Sequence, residues 1–96
     1  MKKINEQKLG DVIKDLLKQY NLQDKLMEVQ LVGKWGKVMG KIISRHTTNI
    51  YISRKKLFIS IDSPVIRAEL MYSKERIVTM MNEAMGTEVI NEVVIR

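Results

Sequence analysis

The chain has 96 residues, 45% of them hydrophobic, and its 17 Lys and Arg outnumber its 11 Asp and Glu for a net charge of +6. With no cysteine it can form neither a disulfide frame nor a thiolate metal site, and no apolar run approaches the roughly 18 residues of a membrane span. A basic balance of this size favours an anionic partner, nucleic acid first.

This length and apolar content are expected to make one domain, residues 1–96, with a real core. The start lacks the apolar segment of a signal peptide, so the expectation is a soluble, cytoplasmic protein. Lys2 and Lys3 open a short basic start. Leu9, Val12, Ile13, Leu16, Leu17 and Tyr20 then follow the i, i+3, i+4 spacing of an amphipathic helix, with Asn21 as its stop. Asp24 is the expected N-cap of a second helix over 25–46, with a bend at Gly33.

That second helix carries the only Trp and the only His of the chain and three of its five Gly. At about 100° per residue, Val32, Trp35, Met39, Ile42, Ile43 and His46 form an apolar stripe that seats it on a sheet. Lys34, Lys37, Lys41 and Arg45 fall within an arc of roughly 80° on another side. Gly33, Gly36 and Gly40 line a third. Each Gly costs a helix interior about 0.8–1 kcal/mol relative to Ala, so a close approach is expected there, by another element of the domain or by a partner. Two phosphate-binding readings fail. Gly36 to Lys41 lacks one spacer residue and the Ser or Thr of a P-loop. Gly33-Lys-Trp-Gly36 matches the GxxG of KH domains but precedes every strand, so it is not expected to work as a KH loop.

Ile50-Tyr-Ile52 and Leu57-Phe-Ile-Ser-Ile61 flank Ser53-Arg-Lys-Lys56 and read as a hairpin. Its alternation puts Ile50, Ile52, Leu57, Ile59 and Ile61 on one face and Tyr51 and Phe58 on the other, where the first helix is available to cover them. Ser63 and Pro64 are the N-cap and first residue of a third helix. Its stripe is Ile66, Leu70, Ile77, Met81 and Ala84, with a break at Ser73, a stop at Gly86, and a methionine cluster of Met71, Met80, Met81 and Met85 assigned mainly to the core. Val89 to Ile95 forms the last strand. The order helix, helix, strand, strand, helix, strand defines an α+β fold with a small three-stranded sheet and helices packed on it, close to a type II KH arrangement.

No catalytic constellation emerges. A nucleophile–base pair would have to join Ser44 or Ser60 to His46, and the carboxylates are scattered, so the chain reads as a binding module with no enzyme activity and no cofactor.

Taken together, Trp35-Gly-Lys-Val-Met-Gly40, Ile43-Ser-Arg-His46-Thr, Leu57-Phe-Ile-Ser-Ile-Asp-Ser63-Pro-Val-Ile-Arg-Ala-Glu-Leu70, Ile77-Val-Thr-Met-Met-Asn82 and Val93-Val-Ile-Arg96 resemble the bacterial DciA-like family over roughly residues 24–96. The resemblance implies a KH-like domain that binds the replicative helicase, helps place it on DNA, and binds DNA itself. Lys34, Lys37, Lys41 and Arg45, with Arg54, Lys55 and Lys56, are the residues expected to meet phosphates without sequence preference. The rival expectations are a protein-interaction or oligomer-forming module using Tyr51, Phe58 or the methionine helix, and an RNA-binding KH-like protein.

Overall fold

The first amphipathic segment forms α1 (Glu6–Gln19) in a computed structural model that describes residues 6–96; Lys2 and Lys3 lie outside the described residues. Asn21 ends α1 as expected. Its φ is +55°, the Leu22 N–H donates to Leu17 O at 2.9 Å, and the Asn21 N–H donates to Lys18 O at 3.2 Å, the two bonds of a Schellman stop. The second helix, α2 (Gln23–Met39), follows at once. Asp24 is not its N-cap: Leu22 holds that place without a side-chain bond, and Asp24 lies in the first turn, where its charge meets the positive end of the helix dipole.

The central helix continues unbroken through Gly33 but does not run to residue 46. It ends at Met39, and Gly40 adopts φ +93°, ψ 169°, a backbone region essentially open only to glycine. A short α3 (Lys41–Arg45) follows. The chain doubles back here: a Cβ on Gly36 would lie 3.0 Å from Ser44 Oγ, whereas residues eight apart in an unbroken helix are about 12 Å apart along the axis. Close approach therefore explains Gly36 and backbone conformation explains Gly40. A Cβ on Gly33 would meet nothing within 4 Å.

The hairpin comprises β1 (Thr47–Ser53) and β2 (Lys56–Ile61), antiparallel, with Tyr51 opposite Phe58 and an irregularity between Thr47 and Asn49. Two residues suffice for the turn because Arg54 and Lys55 both take positive φ, +52° and +62°. Ser63 caps α4 (Pro64–Met71) by accepting the Ile66 N–H, and Ser73 stands between α4 and α5 (Lys74–Met85) at the N-cap position of α5, without a side-chain cap bond. Gly86 closes α5 at φ +75°. The last strand is shorter than expected, β3 (Glu92–Ile95), and lies parallel to β2, giving a mixed sheet of order β1-β2-β3. The helices between β2 and β3 supply the crossover that a parallel pair requires. The fold is α+β, and the order α-α-β-β-α-β holds with the second and third helical segments each broken once.

One face of the sheet makes the core. Leu57, Ile59 and Ile61 of β2 and Val93 and Ile95 of β3 are buried against Leu31 and Trp35 of α2, Leu70 of α4, and Ile77 and Met81 of α5. Of the expected stripe on the central helix, Trp35 is buried and Ile42 is 70% exposed, because the break at Gly40 rotates α3 out of phase with α2. Leu31, outside that stripe, is fully buried. Among the methionines Met81 is core and Met85 packs against it, while Met71 is exposed. Among the described residues α1 has no substantial packing against any other element, so it does not cover Tyr51 and Phe58, and the described chain extends 60 × 24 × 20 Å.

Candidate nucleic-acid interface

The seven basic residues singled out by charge are all exposed, but they stand in two different settings. Lys34 and Lys37 are on α2, Lys41 and Arg45 on α3. The arc that would unite them on one continuous helix does not exist. They flank a corner built by Gly36, Gly40 and Ser44 instead, and among the described residues none of the four forms an ion pair.

The hairpin cations have acidic company. Lys56 Nζ lies 3.4 Å from Glu92 Oε2, a pairing set by the parallel register that places Lys56 beside Glu92. Arg54 and Lys55 line a concavity together with Asp24, Glu28 and Glu88. The field these carboxylates leave at the hairpin tip is weaker than seven isolated cations would produce.

The corner is held by polar bonds that charge counting does not reveal. Trp35 Nε1 donates to Thr47 Oγ1 at 3.0 Å, and that hydroxyl donates to Ile43 O at 2.7 Å. His46 caps α3 and is tied twice to Asp62: its Nδ1 donates to Asp62 Oδ1 at 2.7 Å, and its carbonyl accepts the Asp62 N–H at 3.0 Å. His46 thus joins the start of β1 to the end of β2. Of the core or helix-capping position that the apolar stripe implied, the capping one holds: His46 is a cap and connector on the surface of the fold, with its side chain 40% exposed. At the other end of the sheet Asn82 braces the approach to β3, donating to Ile90 O at 2.8 Å and accepting from the N–H groups of Val89 and Ile90.

The open face of the sheet carries a second arrangement. The rings of Tyr51 and Phe58 stack with centroids 4.8 Å apart at 7°, and the Arg96 guanidinium lies 5.1 Å from the Phe58 centroid. Phe58 is therefore covered on both sides, and only the outer side of Tyr51 is left for a further planar group. Charge and aromatic counts alone do not find Arg96. Its contact follows from a parallel neighbour strand that is distant in sequence.

Among the described residues no group of three or more His, Asp or Glu could hold a metal ion, and no helix is long and apolar enough to cross a membrane. These features define a small α+β domain that displays cations around a glycine-built corner. The chain belongs to the DciA family, described as "Dna[CI] antecedent, DciA", whose model matches residues 8–95. At family level this gives it a helicase-loader-like role in DNA replication. No curated protein and no solved structure matches the chain. The match takes in α1, which the motif resemblance over 24–96 leaves out. Trp35, Gly40, His46, Ser63 and Asn82, which carry the resemblance, are joints of the fold, whereas the cations of the corner lie between them.

Proposed function

We propose that this chain is a non-enzymatic adaptor of the replicative helicase, a KH-like single domain of residues 1–96 that works in the cytoplasm and binds DNA without sequence preference. The observation that carries the reading is the α2–α3 corner, where Lys34, Lys37, Lys41 and Arg45 are exposed and unpaired among the described residues. Cations held on helices can meet successive phosphates with little loss of backbone freedom. Arg54, Lys55 and Lys56 take a secondary part, since nearby carboxylates offset their charge.

A salt-dependent mobility-shift assay tests this. If four to six phosphates are neutralised, log K against log salt falls by about 0.9 per phosphate on duplex and about 0.7 on single strands. A flat salt response, or no shift at low salt, sinks the DNA reading. Co-purification with the replicative helicase of the same organism tests the adaptor part, and its failure at low salt with purified partners removes it.

A further inference from the structure

The aromatic stack on the open face of the sheet is unfinished at one end. Arg96, Phe58 and Tyr51 form a column that crosses the sheet towards β1, and β1 is an edge strand. Tyr51, 41% exposed at the end of that column, lines a groove along the free edge with Val29 and Val32 of α2 and with Ile50 and Ile52. We propose that the outer face of the Tyr51 ring is a stacking site for one unpaired base of single-stranded DNA. The site rests on the DNA-binding reading above and adds to its phosphate contacts a place that only a base can fill.

Three observations select a base. First, the ring is already held. Phe58 backs it at 4.8 Å and 7°, with the Arg96 guanidinium behind, so a planar group arriving at the outer face meets a fixed surface at little ordering cost. Second, the strand edge offers hydrogen bonds. The two-residue turn makes Ser53 and Lys56 a hydrogen-bonded pair, so by alternation the N–H and C=O groups of Ile50 and Ile52 point away from β2. A base standing against Tyr51 brings its own donors and acceptors to that edge, which an aliphatic side chain cannot do. Third, charge brackets the site. Lys41 and Arg45 of α3 lie just before β1, and Arg54 and Lys55 just after it, so the two groups of cations are separated by a strand of seven residues, roughly 20 Å long. Phosphates of an extended strand laid along β1 meet cations at both ends, with Tyr51 between them. Glu28 lines the groove itself, where its carboxylate turns phosphate away but accepts an N–H from a base. Paired bases do not reach Tyr51, because their faces are stacked inside the duplex.

Photo-cross-linking of the full chain to an oligothymidine carrying one 5-iododeoxyuridine is the first test, and peptide mapping should place the cross-link on Tyr51. Affinities for the oligothymidine, for an abasic strand of the same length and for a duplex form the second. Tyr51→Leu, which keeps an apolar cover on Phe58, should weaken the oligothymidine roughly fivefold or more. It should leave the abasic strand, the duplex and the salt slope unchanged, because no phosphate contact is lost. Tyr51→Phe should bind as wild type, whereas Lys37→Glu with Lys41→Glu should weaken all three ligands. A cross-link confined to other residues, equal wild-type affinity for the oligothymidine and the abasic strand, or a Tyr51→Leu variant that melts and binds as wild type overturns the stacking site and leaves the phosphate reading standing. No binding of any strand at low salt overturns both. A Tyr51→Leu variant that loses the replicative helicase in co-purification, yet holds the oligothymidine as before, also overturns the site and gives the face to a protein.

Discussion

Trp35 and Thr47, on separate elements either side of the Gly40 break, are joined by a 3.0 Å hydrogen bond from the indole to the hydroxyl. The same hydroxyl holds the last turn of α3 through Ile43 O. A buried indole is therefore seated by apolar contact and oriented by one polar bond, and that bond fixes where β1 begins.

Two substitutions separate these contributions. Trp35→Ala should destabilise by about 3–5 kcal/mol through lost burial and the cavity left behind. Thr47→Val keeps the shape but strands the indole N–H and the Ile43 carbonyl, at about 1–3 kcal/mol. Chemical denaturation of both variants checks the order. If Thr47→Val melts like wild type, the bond does not hold the corner.

The three glycines of α2 and its end should respond in three different ways. Gly33→Ala meets open space and should stabilise by up to about 1 kcal/mol, as helix propensity dictates. Gly40→Ala must adopt φ +93° and should destabilise by about 1–3 kcal/mol. Gly36→Ala crowds Ser44 Oγ, and its loss should shrink when Ser44→Ala removes that atom. A Gly33→Ala variant that gains stability but loses DNA affinity would place the phosphate backbone against that face.

The hairpin turn holds two non-glycine residues in the left-handed region, each unfavourable by roughly 1–2 kcal/mol. Replacing Arg54-Lys55 by Asn-Gly should raise the stability by about 1–2 kcal/mol, because that pair suits the same turn. Thermal melts measure the gain. The variant also removes two cations, so retained DNA binding would favour the corner as the main site.

Charge reversal distinguishes the two basic groups directly. Lys37→Glu with Lys41→Glu should weaken DNA binding more than Lys55→Glu with Lys56→Glu, although each pair alters the net charge by the same four units. Melting temperatures must be matched first, since Lys56→Glu also sets a carboxylate beside Glu92. Equal losses would mean diffuse attraction without a site, and a larger loss from the hairpin pair would put the DNA surface there.

Much of the fold is legible in the sequence because its signals are local. Alternation assigns the two hairpin faces, Ser63-Pro64 starts α4, Ser73 marks the break between α4 and α5, and Gly86 and Asn21 stop helices by their own backbone preferences. The break at Gly40 is hidden, because helical periodicity projects through a glycine unhindered and nothing local tells Gly40 from Gly33. The neighbours of the cations are hidden for another reason. Lys56 meets Glu92, and Arg54 and Lys55 share a concavity with Glu88, through a parallel strand and its approach more than thirty residues away. An amphipathic pattern says that α1 needs cover, and says nothing about which chain supplies it.

The α2 rod, about 25 Å long, has the exposed apolar stripe of α1 at one end and the cationic corner at the other. Solution conditions can therefore address the two ends separately. Added salt loosens phosphate contacts steeply and leaves apolar pairing intact or tighter, while cooling weakens the apolar end first. On the proposed function, moderate ionic strength would release DNA from the corner while any apolar contact made by the α1 stripe persists.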